Sequence, residues 1–298
     1  MSSRKKGTAL VIASALLWSI GGTIARFLTV SDPWVTVFWR SFFAAVFILL
    51  FMLVSEGGRE TMRLFRRMGP AGWAVAFCFA IASTAFVIAI NYTTIANILL
   101  IQAGVPLLAA LIAWFFFREQ VTLPTKLAIA AVIAGVGIMV SESFNGKVSP
   151  IGDGLAVGIA VMFAIATVIS RYHHEVRMLP AVCLATVIAG SFAAFHVSAV
   201  VVSLPDFIWL ILFGAVNLGL GLAVFTLGVR LIPAAFAALL GTLEPALGPV
   251  WVWLVHGEVP SGRTIMGGAV VFAALFIHLL LEWKRQPEND PSGQAVTP

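Results

Sequence analysis

Residues Pro233–Glu258, PAAFAALLGTLEPALGPVWVWLVHGE, form an apolar stretch in which Glu244 lies near the midpoint and is the one charged residue before the last position. About 20 apolar residues suffice to cross a bilayer as a helix. Pro245 and Pro249 follow the carboxylate, and each proline removes a backbone hydrogen-bond donor. The stretch therefore predicts a membrane span that breaks near its charged residue.

The composition of the whole chain is that of a membrane protein. Of 298 residues, 60% are hydrophobic and 10% are charged, whereas a soluble domain has roughly 25% charged residues. The formal charge of +5 could suit nucleic acid. The basic residues, however, lie in short clusters between apolar runs, which is typical of membrane topology. We therefore expect a lipid bilayer, and no nucleic acid, as a partner.

Ten apolar runs have the length of a spanning helix. An even number of spans places both termini on the same side of the membrane. The predicted spans are Gly7–Leu28, Trp34–Val54, Pro70–Tyr92, Thr94–Phe117, Leu123–Ser141, Gly152–Arg171, Pro180–Val202, Asp206–Gly228, Pro233–Val255 and Gly262–Trp283.

The distribution of Lys and Arg predicts the orientation of these spans. The connections on the side of the N-terminus hold 14 of the 18 basic residues, and the other side holds Arg26, Arg40, Lys147 and Arg263. Because basic residues are enriched in cytoplasmic loops, we expect both termini in the cytoplasm. The localisation expected is the cytoplasmic (inner) membrane of a bacterium.

The two halves of the chain resemble each other at an offset of 139 residues, or 145 near their starts. Each half would hold five spans, so the second half enters the membrane from the opposite side and forms an inverted repeat. We predict repeats over residues 1–145 and 146–285, followed by a disordered cytoplasmic tail over 286–298. The aligned pairs are Pro106 with Pro245, Trp114 with Trp253, Glu119 with Glu258, Phe86 with Phe225 and Arg26 with Arg171.

Ionisable residues within the spans are candidates for function, because a charge at the bilayer centre costs roughly 3 kcal/mol. Glu244 could be bonded to a neighbouring helix, or it could face a cavity and contact a substrate amine or exchange a proton. Arg40 could extend to the outer surface or counter a carboxylate within the bundle. Both alternatives stay open for each residue.

Other polar and aromatic side chains at membrane depth are expected to line a cavity or to hydrogen-bond between helices. Pro106, Pro245 and Pro249 are expected to break or kink helices there. Gly154 and Gly158 have the spacing that allows close helix contact. The predicted cavity residues are Trp18, Arg40, Asn91, Tyr92, Asn97, Gln102, Asn217, Glu244 and Trp251.

Enzyme and metal motifs do not stand out. The sequence has no G-x-S-x-G elbow, no H-E-x-x-H motif and no Walker A loop. His173-His174-Glu175 is a weak metal candidate, since adjacent residues on a basic loop rarely share one ion. Cys78 and Cys183 lie within apolar runs, which favours packing. We therefore expect no catalytic residue, no metal and no cofactor.

Several phrases resemble the EamA-type branch of the drug/metabolite transporter superfamily over about Gly7–Trp283. They are ALLWSIGGTIAR, VFWRSFFAAVFILL, NYTTIANILLIQAGVPLLAALIAWFFFREQ and its distorted partner ALLGTLEPALGPVWVWLVHGE. The resemblance implies export of small metabolites through a cavity between inverted five-helix repeats. Within the family the chain is most similar to YddG-like bacterial exporters of aromatic amino acids.

Carried onto this sequence, the resemblance implies that Trp18, Arg40, Tyr92, Asn97 and the segment around Glu244 lie near the cavity or its gates. It also implies that Glu119 and Glu258 cap the fourth helix of each repeat. Val105 stands opposite Glu244 in the repeat alignment, so a two-fold symmetric coupling site is not expected.

The functional prediction is a monomeric secondary transporter that exports amino acids, with aromatic and apolar ones favoured, or similar small metabolites by alternating access. A proton-coupled drug or metabolite antiporter is the alternative. A channel or membrane sensor fits less well, because a channel needs a continuous polar pore and the polar residues here are scattered. An intramembrane enzyme lacks a recognisable catalytic pair.

Overall fold

The computed structural model of the chain describes residues 3–119, 122–141, 149–173, 177–197, 199–232 and 234–285. Within these ranges the regular structure is helical, and each of the ten predicted runs contains helix. The helices are α1 Ser3–Ser19, α2 Gly21–Phe27, α3 Pro33–Glu56, α4 Gly58–Arg67, α5 Gly69–Ala89, α6 Ile95–Gln102, α7 Val105–Phe117, α8 Leu123–Val140, α9 Pro150–Tyr172, α10 Met178–Ala194, α11 Leu204–Ile211, α12 Gly221–Val229, α13 Ala234–Gly241, α14 Leu243–His256 and α15 Gly262–Arg285, with a π-helical segment Leu212–Leu220 between α11 and α12.

An all-helical membrane fold is confirmed, whereas the exact count of ten spans stays a prediction. Eight helical stretches of the described chain are long and apolar enough to cross a membrane, and the bent pair α6 and α7 makes a ninth. The helix α10 is apolar but has 17 residues. It ends at Ala194, well before the predicted end at Val202, in keeping with the low helix propensity of the valine-rich sequence that follows.

Several of the long helices are interrupted near mid-membrane. The first span breaks at Ile20, between α1 and α2, and α6 meets α7 at an angle of 43°. In the ninth span α13 and α14 are separated by Thr242. The eighth span contains the π-helical segment, in which the extra residue per turn displaces side chains, often at functional sites. At each interruption the regular pattern of backbone hydrogen bonds within the helix is broken, and the interruptions lie where the two halves meet.

The helices pack in pairs that relate the two halves. The third span, α5, packs against the sixth, α9, while the eighth, α12 with its π-helical segment, packs against the first, α1. The second and seventh spans pack together, as do the fifth and tenth. Exchanging the halves converts the first two contacts into each other and leaves each of the last two unchanged, as expected for an inverted repeat.

The two membrane faces are named here by the chain ends. The terminal face holds the start of α1 and the end of α15, and the opposite face holds the end of α2 and the start of α15. The short helix α4 links the second and third spans at the terminal face and was not predicted from the sequence. The predicted tail, 286–298, lies outside the described residues, as do His174 and Glu175.

The glycine pair predicted to permit close helix contact does not do so. A Cβ atom built on Gly154 or Gly158 would meet nothing within 4 Å. The close approach lies instead between α8 and α15, where a Cβ on Gly267 would come within 2.4 Å of the backbone oxygen of Gly135. The spacing G-x-x-x-G does not identify the partner helix, and here the glycines that meet lie on two different helices.

Candidate functional site

A cavity of about 400 Å³ lies between the two halves at mid-membrane. This volume falls within the range of small-molecule sites. Its lining is mostly apolar but includes one basic and one acidic residue. The lining residues are Trp18, Gly21, Gly22, Arg40, Phe79, Ala82, Ser83, Phe86, Leu99, Gln102, Ala103, Val105, Pro106, Phe163, Thr167, Met178, Val182, Ala185, Thr186, Asn217, Leu218, Leu222, Ala238, Gly241, Thr242, Glu244, Pro245 and Leu275.

Arg40 is held inside the bundle and does not extend to the membrane surface. Only 8% of its surface is exposed. Its Nη1 atom donates to the Ser83 hydroxyl at 2.7 Å, and its guanidinium lies 4.3 Å from the ring centre of Phe213 and 5.8 Å from that of Phe86. A buried cation of this kind needs a partner. Within the described chain no carboxylate pairs with it, so its charge remains available to a ligand.

Glu244 also lines the cavity and makes no hydrogen bond or ion pair with the residues that the structure describes. It lies in the first turn of α14, directly after the break at Thr242. A carboxylate is stabilised near a helix N-terminus by the partial positive charge of the backbone N–H groups there. The alternative in which Glu244 is bonded to a neighbouring helix is therefore not what the described residues show.

The interruptions supply amides to the same cavity. Asn217, in the π-helical segment, donates from Nδ2 to the carbonyl oxygens of Leu17 at 2.7 Å and Trp18 at 3.2 Å. It thereby satisfies carbonyls at the end of α1, which a helix terminus leaves without partners. Gln102 ends α6, and its buried Nε2 atom has no hydrogen-bond partner among the described residues. The break α6–α7 therefore leaves an amide donor beside the cavity.

The prolines lie at the breaks in both halves. Pro106 is in the first turn of α7 and Pro245 in the first turn of α14, and both line the cavity. Pro249 lies inside α14 and is absent from the cavity lining. Because a proline in the first helical turn removes a donor that has no intrahelical acceptor, Pro106 and Pro245 fit where they lie.

Four of the predicted cavity residues lie away from this cavity. Asn91 donates to the backbone oxygens of its own helix, and the exposed Tyr92 follows it in the turn after α5. Asn97 donates to Asp153 on α9, and Trp251 donates from Nε1 to the Ser19 hydroxyl at 3.0 Å. Each of these side chains except Tyr92 thus has a partner within the protein, as the hydrogen-bonding alternative allowed.

The sequence reasoning did not single out Ser83, Phe213 or Thr186. Ser83 and Thr186 line the cavity, and Phe213 packs on the Arg40 guanidinium. A lone hydroxyl or phenylalanine in an apolar helix gives no sequence signal, because most such residues serve packing alone. Whether these three residues contact Arg40 or line the cavity depends on how their helices pack, which the sequence does not specify.

Within the described ranges no group of three or more His, Cys, Asp or Glu side chains could hold an ion. His173 is described, but its predicted partners in the sequence are not.

The helical halves and their shared cavity define a polytopic membrane protein with a ligand-sized central site. The chain belongs to the EamA-like transporter family, whose pattern it matches twice, over residues 5–141 and 150–280. The protein is therefore a multi-pass membrane transporter, built from two copies of the family unit.

Two known proteins are similar to the chain over most of its length. An uncharacterized transporter of Archaeoglobus fulgidus is 24% identical over 276 residues, which is 91% of this chain and 95% of that protein. A solved crystal structure superposes with a TM-score of 0.65 and 16% identity, covering 95% of this chain and 99% of the other. The structural likeness is evidence for the fold alone.

Proposed function

We propose that the protein exports amino acids through this cavity by alternating access, and that aromatic and apolar amino acids are preferred, as in the YddG-like exporters that the sequence resembles. The observation that supports the proposal is the lining of the cavity: one unpaired acid, Glu244, and one cation without a carboxylate partner, Arg40, among apolar walls. A free amino acid has a carboxylate and an ammonium group at one end and a side chain at the other.

Each end of such a substrate has a counterpart in the lining. The Arg40 guanidinium suits a carboxylate, because its fixed donors match the two oxygens. Glu244 suits an ammonium group. The rings of Trp18, Phe79 and Phe163 offer flat apolar surface to a side chain, and aromatic rings favour one another in offset or edge-to-face contacts.

The distribution of basic residues supports one orientation of the protein in the membrane. The excess of Lys and Arg on the terminal face favours a cytoplasmic location for both termini. In the proposed arrangement the protein lies in the cytoplasmic membrane of a bacterium as a monomer, with one complete cavity per chain and no cofactor. Labelling of an engineered cysteine at the exposed Arg59 from each side of intact cells would test the orientation.

A competition assay in proteoliposomes tests the substrate class. Phenylalanine counterflow should be saturable and inhibited by unlabelled phenylalanine or leucine. Phenethylamine lacks the carboxylate, and N-acetylphenylalanine lacks the ammonium group. Each should compete about ten-fold less well or worse, because a hydrogen bond to a charged group contributes about 1.5–3 kcal/mol. Equal competition by all four would contradict the zwitterion proposal, and a flux without counterflow would indicate a channel.

A proton-coupled antiporter of drugs or metabolites is the second candidate, because Glu244 is an ionisable group without a partner in the cavity. If the carboxylate exchanges a proton for the substrate, a pH gradient should drive accumulation by the wild-type protein. Glu244→Gln should then abolish the response to the gradient while counterflow without a gradient persists. Glu60→Gln removes an exposed carboxylate on α4 and is the matched control. A gradient response unchanged in Glu244→Gln would exclude this coupling role.

A further inference from the structure

Arg26 and Glu258 join the two halves at the opposite face. The guanidinium donates from Nε to Glu258 Oε2 at 2.8 Å, and its Nη2 atom lies at the same distance from that oxygen. Both side chains are mostly buried, with 29% and 18% exposed. The family resemblance implied that Glu258 caps its own helix, but its contacts are with the other half of the chain. The two side chains form an ion pair across the halves.

The ends of two further spans bind this ion pair. Arg26 also donates to the backbone oxygens of Ile90 at 3.0 Å and Thr93 at 3.3 Å. Glu258 accepts from the backbone N–H of Ile95, at the start of α6, at 2.7 Å. The pair therefore ties the ends of the first and ninth spans to the turn between the third and fourth, which closes this face.

The terminal face has a corresponding ion pair, Arg171 with Glu119. Their atoms Nη2 and Oε1 lie 3.3 Å apart, and 62% of the Arg171 side chain is exposed. The Tyr172 hydroxyl donates to Glu119. Within the part of the chain that the structure describes, Arg171 and Glu119 reach no backbone atom of the turn between the eighth and ninth spans.

These two clusters occupy corresponding positions of the inverted repeat. Arg26 aligns with Arg171 and Glu258 with Glu119, at the offsets found in the sequence. The neighbouring aromatic contacts obey the same offsets. The ring centres of Phe27 and His256 are 4.5 Å apart at one face, and those of Tyr172 and Phe117 are 4.1 Å apart at the other. We call the first cluster the opposite clasp and the second the terminal clasp.

The cavity extends toward the looser of the two clasps. Its lining includes Met178, the first residue of α10, whereas Pro33, the equivalent first residue of α3, is not part of it. Met178 lies at the terminal face and Pro33 at the opposite face. Gly22 and Thr167, which are equivalent at the offset of 145 residues, both line the cavity one turn from the arginine of their own clasp. The cavity thus reaches further toward the terminal face, where the ion pair is also the more exposed of the two.

We propose that the two clasps hold the two states of the transport cycle and form alternately. The ion pair at each face binds the adjacent turn of the other half when that face closes, and it releases that turn when the face opens. The inference rests on the alternating access of the proposed function and adds the residues that hold each state. Because the halves are equivalent, the second state follows from the first by exchanging them.

The repeat alignment specifies the contacts of that second state. Ile90 and Thr93 align with Val229 and Ile232 at the offset of 139 residues. When the terminal face closes, Arg171 should therefore donate to the carbonyl oxygens of Val229 and Ile232. Arg26 should lose its contacts with Ile90 and Thr93 at the same time.

Distances between spin labels, measured without substrate, test the exchange. One label pair, at Phe116 and Leu231, spans the terminal face, and its equivalent, at Tyr92 and Val255, spans the opposite face. All four residues are exposed, and both native cysteines are buried. Arg26→Gln should shift the distance distribution between residues 92 and 255 to longer values and that between 116 and 231 to shorter values. A mutation at one face thereby moves labels at the other.

Three further variants make the test decisive. Glu258→Gln retains an acceptor for the Ile95 N–H and should shift both distributions in the same direction as Arg26→Gln, which guards against misfolding of the arginine variant. Arg171→Gln should not lengthen the distance at the opposite face. Arg63→Gln removes an Arg–Glu ion pair within α4 and should leave both distributions unchanged. Clasp variants that behave like Arg63→Gln would overturn the proposal. Failed amino-acid counterflow with intact distance shifts would instead reject the substrate class alone.

Discussion

Replacement of Arg40 by methionine should lower amino-acid counterflow at subsaturating substrate about ten-fold or more without lowering the melting temperature. The guanidinium is buried beside Ser83 and Phe213 and has no carboxylate partner in the described chain. Loss of a charge-assisted hydrogen bond to a substrate carboxylate costs about 1.5–3 kcal/mol in binding. Desolvation of an unpaired charge, in contrast, opposes folding, so an apolar side chain of similar length should be neutral or stabilising.

The two measurements separate a binding role from a structural one. If Arg40 serves the fold, Arg40→Met should lower both transport and the melting temperature in detergent. If it binds the substrate carboxylate, phenethylamine, which lacks that group, should lose little affinity when Arg40 is replaced. Arg63→Met removes an exposed guanidinium on α4 and should change neither quantity. Full counterflow by Arg40→Met would exclude the residue from recognition.

Substitution of Gly267 by alanine should destabilise the protein by about 1–3 kcal/mol, the usual cost of adding a methyl group to a packed interface. The new Cβ would lie 2.4 Å from the backbone oxygen of Gly135 and 2.6 Å from Cγ of Met139. A backbone oxygen cannot rotate away as the end of a side chain can. The fifth and tenth spans would therefore have to move apart, which thermal unfolding in detergent should register as a lower melting temperature.

Gly158→Ala is the matched control for this substitution. The same methyl group at Gly158, inside α9, would meet nothing within 4 Å. Alanine is favoured over glycine in a helix by up to about 1 kcal/mol. The control should therefore melt at the same temperature as the wild type or slightly higher. A similar loss of stability in both variants would show that the contact between α8 and α15 is not the cause.

The spans could be predicted because a bilayer imposes one local condition on the sequence. About 20 apolar residues must follow one another, and the backbone must satisfy its hydrogen bonds within the helix. Helix boundaries were less certain where tertiary contacts or loops intervened, as at the early end of α10. The interruption of the first span at Ile20 could not be predicted, because no proline lies there. It depends on Asn217, which binds carbonyls from a helix 200 residues away.

The site could be predicted in part. Of the nine predicted cavity residues, the structure places Trp18, Arg40, Gln102, Asn217 and Glu244 in the lining. Trp18 was identified by the family resemblance. The other four could be identified because a polar group at membrane depth is costly in free energy unless it has a partner or faces a cavity. The same signal also selected Asn97, which has its partner in Asp153. Composition cannot distinguish a polar group that faces a cavity from one that faces another helix.

The ninth span illustrates what each level decides. The sequence alone determined that Pro233–Glu258 crosses the membrane with Glu244 near its middle, because hydropathy and proline act locally along the chain. The repeat alignment also paired Arg26 with Arg171 and Glu119 with Glu258. Only the tertiary structure decided that Glu244 and Arg40 line one cavity. It also decided that each of these arginines forms an ion pair with a glutamate of the other half, Arg26 with Glu258 and Arg171 with Glu119. Contacts between residues more than 50 positions apart depend on helix packing, which no local property of the sequence specifies.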